Sequence, residues 1–546
     1  MFRTNDTHLQ DDLFNHYRTM KPSIAKMLEK SWAPVFYQEV FCKINEQIYA
    51  PLYCLDNGRP NTPVNILLSL EIIKHQFGFT DEEILEQFYF NFQILYALGI
   101  RNLGEVYIAE RTIYEFRERI YSYILEHPDQ EDVLFKQFEI LTNNFIKKAG
   151  IKTNEQRMDS TLVSPNIKKA GRLSLAHDVL HQAVRIIPTK LLSDTLKPVL
   201  EAYFKNDLLY KTRNDELDSR LQKVLDLMTE VDKLNQRTPL LYAREEMAIL
   251  RRFLTEQASF DEGAGKWLVK ASKEIKSNSL QSAYDQDATF RHKAGKSHSG
   301  YVLNLSETCS PENEVQFITD YKLEPNNKSD IEIAQNRLPG IKQKTNVTNL
   351  YADGGYYGED IINQSEELGV KIHFTDMTGK KESADKLPLT SFTFNEEYDI
   401  ESCLNGKKPT RSVGDSIKKV SSSHFPKEDC QGCPHYNNCP VKTQKKNRVL
   451  RISFKSIIAA QTREEINKKE IKRQNHSHRA AIEGTNSALK RGEDMNKLNV
   501  RGYIKSHMVC SYKVMARNIK QFVRLAKSAL SRTPLPNTGQ LCPNAS

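Results

Sequence analysis

The chain has 546 residues, of which 39% are hydrophobic and 27% are charged, the composition of an ordinary globular protein. Its length predicts roughly two to four domains. No apolar run approaches the ~20 residues that a membrane-spanning helix needs, and the first residues lack the basic-then-apolar order of a signal peptide. We therefore expect a cytoplasmic protein and set aside membrane and secreted classes.

Positive charge is concentrated in one segment. The whole chain has a net charge of +9, and residues 441–533 hold 23 Lys and Arg against six Asp and Glu. The segment thus has a net charge of +17, which leaves −8 for the remainder. A solvated basic face is the usual meaning of a single charge run. A surplus of this size favours instead a partner with a phosphate backbone, which means nucleic acid.

Helical patterns fill residues 1–150. An apolar periodic run at 64–77 follows Thr62-Pro63, which is typical of a helix start. The pairs Thr80–Glu83 and Thr112–Glu115 have capping-box spacing and predict helices over 80–98 and 113–125. Short helices with tight turns suit a helix-turn-helix DNA reader, but they also suit any small helical bundle, which is the better prediction from these residues.

Beyond residue 150, strand-like and helix-like segments alternate, which predicts an α/β core. A charged helical insertion covers about residues 170–280, and a short helix is predicted near 329–337. The segment 379–447 is polar and irregular, and two helices, 461–491 and 502–528, follow it. The predicted strands are 156–163, 301–308, 315–325, a strand ending just before Asp353, and 370–379.

Three acidic residues occupy positions where a metal site forms readily. Asp159 is in the strand 156–163, Asp353 lies between a strand and two glycines, and Glu483 is on the helix 461–491. Carboxylates at strand ends and on a packed helix converge at a sheet edge, where such hard oxygen ligands bind Mg²⁺. Taken singly, each acid has a simpler explanation. Asp159 could be a surface residue, Asp353 part of a glycine turn, and Glu483 the partner of Arg479 in a surface ion pair.

One helix face combines this glutamate with groups that bind anions. His476, Arg479, Glu483 and Lys490 are three, four and seven residues apart, and residues so spaced share a helix face. One carboxylate is therefore in line with three groups that can contact phosphate.

These motifs together resemble those of bacterial insertion-sequence transposases of the DDE class. The family signature around its glutamate is Tyr, two residues, Arg, three residues, Glu, six residues and Lys. Arg479, Glu483 and Lys490 reproduce that spacing, and His476 stands in place of the tyrosine. RMDSTLVSPNI around Asp159 and LYADGGYYGED around Asp353 resemble the two aspartate motifs of the family.

The resemblance covers roughly residues 20–525. The segment from NGRPNTPV to LYALGI is similar to the helical domain that precedes the core in many of these proteins. CLNGKKP followed by CQGCPHYNNCP resembles the cysteine-bearing insertion of the insertion-sequence family numbered eleven eighty-two. Asp285 and Asp287 in YDQDATFRHK also resemble a recurrent family segment, and we interpret them as supporting the fold.

The resemblance implies an RNase-H-like catalytic core made of residues 151–378 and 448–530. The helical insertion at about 170–280 and a cysteine-rich insertion at 379–447 would interrupt it. A helical N-terminal DNA-binding domain would occupy 1–150. A disordered tail is predicted at 531–546.

The resemblance also implies the chemistry. Asp159, Asp353 and Glu483 would bind two Mg²⁺ or Mn²⁺ ions, while Arg479 and Lys490 would contact phosphates of the transposon end. His476 would donate a hydrogen bond to phosphate in place of the tyrosine. The predicted reaction is hydrolysis of the DNA ends and attack of the freed 3′ hydroxyls on target DNA.

The predicted partners follow from that reaction. They are double-stranded DNA, both the terminal inverted repeats and the target, and a second copy of the chain, because family members act as dimers or larger assemblies on DNA. No membrane partner is expected, and the predicted location is the bacterial cytoplasm, in association with the nucleoid.

Four of the nine cysteines crowd into a 37-residue stretch, and they are Cys403, Cys430, Cys433 and Cys439. The Cys-x-x-Cys pair lets two sulfurs reach one tetrahedral Zn²⁺. His424 or His435 is an alternative fourth ligand, and reduced surface thiols are the simpler interpretation. Because the segment is too polar to fold on an apolar core of its own, we expect structural Zn²⁺.

The leading hypothesis is an enzyme, a DDE transposase. The alternative from another class is a catalytically inactive, transposase-derived DNA-binding protein, against which the presence of all three acids argues. A metal-dependent nuclease without strand transfer would share the same residues and metals. A zinc-bearing module that binds proteins is a further alternative, and a steep fall of DNA affinity with salt would contradict it.

Overall fold

The computed structural model describes residues 1–10, 14–54, 56–168, 170–210, 213–293, 295–375, 385–415 and 419–532. They form a mixed α/β protein with one six-stranded sheet and a second sheet of four strands. The tail predicted to be disordered lies outside these residues from 533 onward, and residues 531 and 532 end a helix. No helix within these ranges is both long and apolar enough to cross a bilayer.

Helices fill the chain up to residue 149, as predicted. They are α1 Pro22–Glu29, α2 Ala33–Glu39, α3 Val64–Phe77, α4 Asp81–Phe90, α5 Phe92–Ala97, α6 Glu110–Glu126 and α7 Val133–Ala149. The bounds of α3 are those predicted, and Gly78 ends it with a φ of 76°. Thirteen of its fourteen residues are buried, so α3 is the central helix of this part of the chain.

One predicted capping box is present, and the helix after it is shorter than expected. The Thr80 hydroxyl accepts from Glu83 N at 3.1 Å, and the Glu83 carboxylate accepts from Thr80 N at 2.8 Å. The predicted helix 80–98 is interrupted at Asn91. This side chain accepts from Gln93 N and caps the following helix α5, so a local polar contact replaces one turn of the longer helix.

Two other predicted helix starts are wrong. Thr112 lies inside α6, which begins at Glu110 without a side-chain cap. Pro63 occupies the cap position of α3 instead of its first turn. The carboxylate of Glu46 accepts from Val64 N at 3.0 Å, so a side chain distant in sequence satisfies the free N–H group of this helix end.

Residues 151–269 begin with a strand of the large sheet and continue as a largely helical segment where the helical insertion was predicted, and we refer to this segment as the helical insertion. The elements are β1 Glu155–Val163, α8 Arg172–Arg185, α9 Ala202–Tyr210, α10 Leu217–Arg237, α11 Pro239–Tyr242, α12 Glu245–Gln257, β2 Ala258–Asp261 and β3 Lys266–Val269. The hairpin of β2 and β3 was not predicted. The insertion has a hydrophobic cluster of its own, centred on α8, α10 and α12.

The large sheet continues with β4 Thr289–Lys293, β5 Lys296–Thr308, β6 Ile318–Pro325, α13 Asp330–Thr345, β7 Asn349–Ala352, α14 Glu359–Glu367 and β8 Lys371–Phe374. The strand order is β6–β5–β1–β7–β8, and β4 pairs with the first part of β5. β1, β7 and β8 are parallel to one another, whereas β5 is antiparallel to β1, β4 and β6. Helix α13 extends eight residues beyond the helix predicted near 329–337.

The segment predicted to be irregular contains short strands. The elements are β9 Thr393–Phe394, β10 Ile400–Ser402, β11 Arg411–Asp415, β12 Val420–Pro426, α15 Lys427–Cys430, β13 Lys442–Thr443 and β14 Asn447–Ser453. The second sheet has the order β11–β12–β14–β13. Its apolar cluster includes Phe425, Val441 and Leu450, so a small hydrophobic core exists where the polar composition predicted none.

Three helices complete the described chain, α16 Phe454–Asn467, α17 Lys469–Gly492 and α18 Tyr503–Arg532. The single helix predicted over 461–491 is therefore two helices, divided at Lys468. Helix α18 packs against α3, α6 and α7 on one side and against β6 on the other. The N-terminal helices and the large sheet consequently share one hydrophobic core.

Asp285 and Asp287 support the fold at the start of α18, as interpreted from the sequence. Asp285 Oδ2 accepts from Gly502 N at 2.8 Å, and Asp287 Oδ2 accepts from Tyr503 N at 3.0 Å. Asp285 Oδ1 also accepts from the hydroxyl of Tyr301 at 2.8 Å. Carboxylates at a helix N-terminus stabilise its free N–H groups and its dipole.

Candidate active site

Strand register puts the two aspartates side by side. β1 and β7 are parallel, with Arg157 opposite Tyr351. Two residues further along each chain are Asp159 and Asp353, so the parallel register brings them to corresponding positions just beyond the last β1–β7 pair. β7 ends at Ala352, so Asp353 is the first residue beyond the strand.

The turn after Asp353 fixes its side chain. Asp353 Oδ1 accepts from Gly355 N at 2.8 Å and caps a short 3₁₀ turn. A Cβ atom at Gly355 would lie 2.9 Å from that oxygen, which is closer than side chains tolerate. The Asp-Gly-Gly motif is thus a turn, as the simpler interpretation holds, and this turn also orients the carboxylate.

A buried ion pair attaches α17 to the sheet beside the aspartates. Arg157 Nη2 lies 2.6 Å from Glu307 Oε2, and both side chains are almost fully buried. Glu307 Oε1 accepts from the Thr485 hydroxyl at 2.8 Å, and Arg157 Nη1 donates to the carbonyl of His478 at 3.1 Å. Two points of α17 are therefore bonded to a cross-strand pair of β1 and β5.

Stacked rings make a second attachment of α17. The ring of Tyr351 on β7 stacks on His478 of α17 with centroids 4.5 Å apart, and its other neighbour, His373 of β8, lies 4.8 Å away. Offset stacking of this kind stabilises a pair beyond the area it buries. Tyr351 is two residues before Asp353 and His478 is adjacent to Arg479, so the stack aligns the helix with the acids.

Arg479 lies among all three acids. Its Nη2 is 3.8 Å from Asp159 Oδ1 and 3.6 Å from Asp353 Oδ2, and its Nη1 is 3.9 Å from Glu483 Oε1. Nη1 also donates to the Thr375 hydroxyl at 3.5 Å. One guanidinium thus contacts residues that are far apart in the sequence. Arg479 is therefore more than the partner of Glu483 in a surface ion pair, because it also lies next to both aspartates.

Exposure and charge differ among the acids. Burial raises the pKa of Asp159 to about 6, because the positive charge of Arg479 only partly offsets burial and the neighbouring charge of Asp353 adds to it. The side chain of Glu483 is 67% exposed. Burial also lowers the pKa of Lys490, and the nearby carboxylate of Asp159 opposes this effect.

Asn486 is a site residue that the sequence reasoning missed. Its Nδ2 donates to Asp159 Oδ2 at 2.8 Å, while Asp159 Oδ1 faces Arg479. Asn486 is three residues after Glu483 and seven after Arg479, so the helix spacing that selected those residues also includes Asn486. An asparagine drew no attention because it carries no charge.

The remaining predicted residues lie on the expected elements. Lys490 is in the last turn of α17, and His476 is in the same helix, but its side chain is outside the described residues. Cys403, Cys430 and Cys439 are partly buried against the small hydrophobic core of the second sheet. In the described ranges, no three His, Cys, Asp or Glu side chains are arranged so as to hold a metal ion.

Two known protein families match parts of the chain. A family described as "Transposase DDE domain" matches residues 402–523, and a "Transposase domain" family with the designation DUF772 matches residues 30–119. Together the two matches indicate an insertion-sequence DDE transposase. No match was found among curated proteins or solved structures. The transposase matches include Arg479, Glu483 and Lys490 but neither Asp159 nor Asp353, which are assigned here from motif and geometry.

Proposed function

We propose that this transposase binds the terminal inverted repeats of its insertion sequence, hydrolyses the DNA ends and joins the 3′ hydroxyls to target DNA. The observation that carries the proposal is the position of Arg479, whose guanidinium groups Asp159, Asp353 and Glu483 around one cation. The strand order and the crossing helix α17 also support an RNase-H-like arrangement of the core.

The three acids suit divalent metal ions such as Mg²⁺ or Mn²⁺. The donor set consists of hard carboxylate oxygens, and the guanidinium among them is a stand-in for a metal cation. Asp159, Asp353 and Glu483 would hold the ions once Arg479 moves toward DNA phosphate. Bound there, two such ions would polarise the scissile phosphate and stabilise the attacking and leaving oxygens.

The chain's own residues supply binding and orientation. Arg479 and Lys490 would contact phosphates next to the scissile bond, with His476 donating a further hydrogen bond. Asn486 fixes the orientation of Asp159 by binding one of its oxygens. The buried ion pair of Arg157 and Glu307 holds α17 in place, so that these groups meet the DNA in a preformed arrangement.

The reaction would proceed in two successive phosphoryl transfers. In the first, water oxygen bonds to phosphorus at the transposon end, the bond to the 3′ oxygen breaks, and that oxygen takes a proton. In the second, the 3′ hydroxyl loses its proton and bonds to a target phosphorus, while the target's own 3′ oxygen leaves and takes up a proton. Because two ends must be joined to one target, we propose that two copies act together on DNA.

The cysteine-rich insertion would hold structural Zn²⁺. Three of its four proposed ligands, Cys403, Cys430 and Cys439, border the same small core, and Cys433 N donates to the carbonyl of Cys430 in the turn between them. Burial raises the pKa of Cys439, and the nearness of Cys430 and Cys403 adds to this effect. A divalent cation would offset the electrostatic repulsion between the neighbouring thiolates.

The experiment that tests the proposal is a cleavage and joining assay on DNA flanking the gene, with Mg²⁺ and the full chain. Wild type is compared with Asp353→Ala and with Asp360→Ala, an exposed aspartate on α14 that serves as the matched control. We expect wild type and the control to cut at paired inverted repeats and to form joined products. Asp353→Ala should bind DNA without cutting it.

Other outcomes would reject the proposal in different ways. Cutting without joined products would assign a nuclease. DNA binding without cutting by any of the three proteins would assign a DNA-binding protein. Cutting by Asp353→Ala at the wild-type rate would refute the assignment of the acids.

A further inference from the structure

A cleft of about 390 Å³ lies between the helical insertion and the loop that joins α17 to α18. One wall is the chain just after β1, where Leu498 N donates to Ser164 O and Asn166 N donates to Val500 O, both at 2.8 Å. The opposite wall is formed by α8 and α9 and by residues 281–284. The cleft is thus formed where two segments of the core meet the helical insertion.

Positive charge dominates the lining of this cleft. It contains four cationic side chains, Lys168, Lys205, Lys497 and Arg501, against one carboxylate. That carboxylate, Asp178, is already engaged, because His177 Nδ1 lies 3.2 Å and Lys205 Nζ 3.9 Å from its Oδ1. The cleft therefore has a surplus of uncompensated positive charge, which suits a polyanion.

Arg501 is held in a fixed position at the mouth. Its Nε donates to the carbonyl of Asn166 at 2.8 Å, and its guanidinium carbon lies 5.1 Å from the centre of the Tyr284 ring. Tyr284 is 50% exposed, so this cation and ring face solvent together. A preformed arginine next to an exposed ring is suited to phosphate and to the sugar or base beside it.

The cleft lies just beyond the end of the strand that holds Asp159, because β1 ends at Val163 and the cleft lining begins at Asn166. Asn166 is seven residues after Asp159, a distance of roughly 23 Å at ~3.3 Å per residue in fully extended chain. That length corresponds to about seven base pairs of duplex at ~3.4 Å each. Lys490, which lies near Asp159, is part of the same basic chain segment that continues to Lys497 and Arg501.

We propose that this cleft binds the phosphodiester backbone of double-stranded DNA about seven base pairs from the scissile bond. The helical insertion is then a second DNA-binding element of the transposase, in addition to the residues of α17. This inference rests on the proposed function, because it assumes that the acids of the site face a DNA duplex.

The test measures DNA affinity as a function of salt. The double variant Lys497→Gln/Arg501→Gln and the single variant Lys168→Gln, in the chain just after β1, are compared with Lys223→Gln/Lys233→Gln on the exposed side of α10. Fluorescence anisotropy with a transposon-end duplex gives the slope of log affinity against log salt. We expect the slope to become shallower by about two for the first double variant and by about one for Lys168→Gln.

The matched α10 variant should keep the wild-type slope. Ethylation of phosphates about seven base pairs from the cut should interfere with DNA binding by wild type but not by the double variant. Wild-type slopes in both cleft variants, while wild type cleaves the same DNA, would overturn this inference and leave the proposed function intact. If wild type neither binds nor cuts the duplex, both fall. If inorganic phosphate alone inhibits DNA binding equally in wild type and in the cleft variants, the inference about the cleft is also overturned.

Discussion

Arg479 is the residue on which the electrostatics of the site depend. Its guanidinium lies between 3.6 and 3.9 Å from oxygens of three carboxylates and is largely buried. In the DNA-free chain this one charge offsets much of the repulsion among Asp159, Asp353 and Glu483. A divalent cation that enters the same space must compete with it, and a DNA phosphate that attracts Arg479 would remove the competitor.

We expect Arg479→Gln to raise the affinity of the DNA-free protein for Mn²⁺ by about tenfold or more, because a unit charge near 4 Å is lost from a partly buried site. The measurement is titration of free Mn²⁺ by electron paramagnetic resonance. Arg491→Gln, on an exposed position in the last turn of the same helix, is the control and should bind Mn²⁺ as wild type does. Equal affinities in all three proteins would contradict this role of Arg479.

Sequence spacing indicated which charged residues share a face of α17, but not what they contact. Asn486 has the same spacing and was overlooked, since its importance depends on β1 lying beneath the helix. The register of β1 and β7, which puts Asp159 beside Asp353, is likewise a property of strand pairing. Because β1 and β7 are far apart in the sequence, no turn between them predicts which of their residues pair.

At the scale of elements, the buried ion pair of Arg157 and Glu307 is one of the contacts that hold α17 against the sheet. Breaking such a pair leaves an uncompensated charge in the interior, so we expect Glu307→Gln to lower the free energy of unfolding by about 3–5 kcal/mol. Urea denaturation measures the change. Glu312→Gln is the matched control, because its bridge to Lys152 joins two side chains that are more than half exposed, and it should change stability by less than ~1 kcal/mol. Similar losses in both variants would refute the role assigned to Glu307.

The elements that the sequence predicted well are those with local signals. Helix α3 has a periodic apolar run and a terminal glycine, and β1 has a compact strand pattern. The small core of the second sheet depends on contacts between distant segments, and a single-sequence pattern does not contain that information. The break at Asn91 has a local cause, the cap on Gln93 N, which the continuous apolar pattern concealed.

The cysteine-rich insertion gives a second element-scale prediction. We expect about one Zn²⁺ per wild-type chain by mass spectrometry of the metal content, and a marked loss in Cys433→Ser, because a tetrahedral site needs all four ligands. Hydrogen exchange in residues 400–445 should rise in the same variant. Cys54→Ser, at an exposed cysteine elsewhere in the chain, should change neither quantity. Metal-free wild-type protein would contradict the zinc proposal.

At the scale of the whole molecule, hydrophobic packing divides the chain differently from its sequence segments. Phe138 of α7 contacts Tyr321 of β6 with ring centroids 4.9 Å apart, and Phe145 of α7 stacks on Phe522 of α18 at 4.6 Å. The N-terminal helices are therefore part of the same cooperative core as the sheet. The helical insertion, by contrast, has a separate cluster.

The two tryptophans can distinguish these cores, since Trp32 packs against the shared core and Trp267 against the cluster of the insertion. We expect Trp267→Phe and Trp32→Phe, each with one remaining tryptophan, to give different urea midpoints by fluorescence. The insertion should unfold at the lower concentration because its core is smaller. Midpoints from circular dichroism of both variants control for the substitutions, and coincident fluorescence curves would show a single cooperative unit.

The position of α18 in the chain has a consequence for synthesis. Helix α7 ends at Ala149 and α18 begins at Tyr503, 354 residues later, yet α18 fills the space between α3, α7 and β6. At roughly 5–20 residues per second, a ribosome needs about 20–70 s to produce what lies between them. Throughout that interval the N-terminal helices lack the surface that completes their packing. An interrupted transcript or a ribosome that stops early therefore yields an aggregation-prone fragment for chaperones and proteases, and not a folded competitor of the complete transposase.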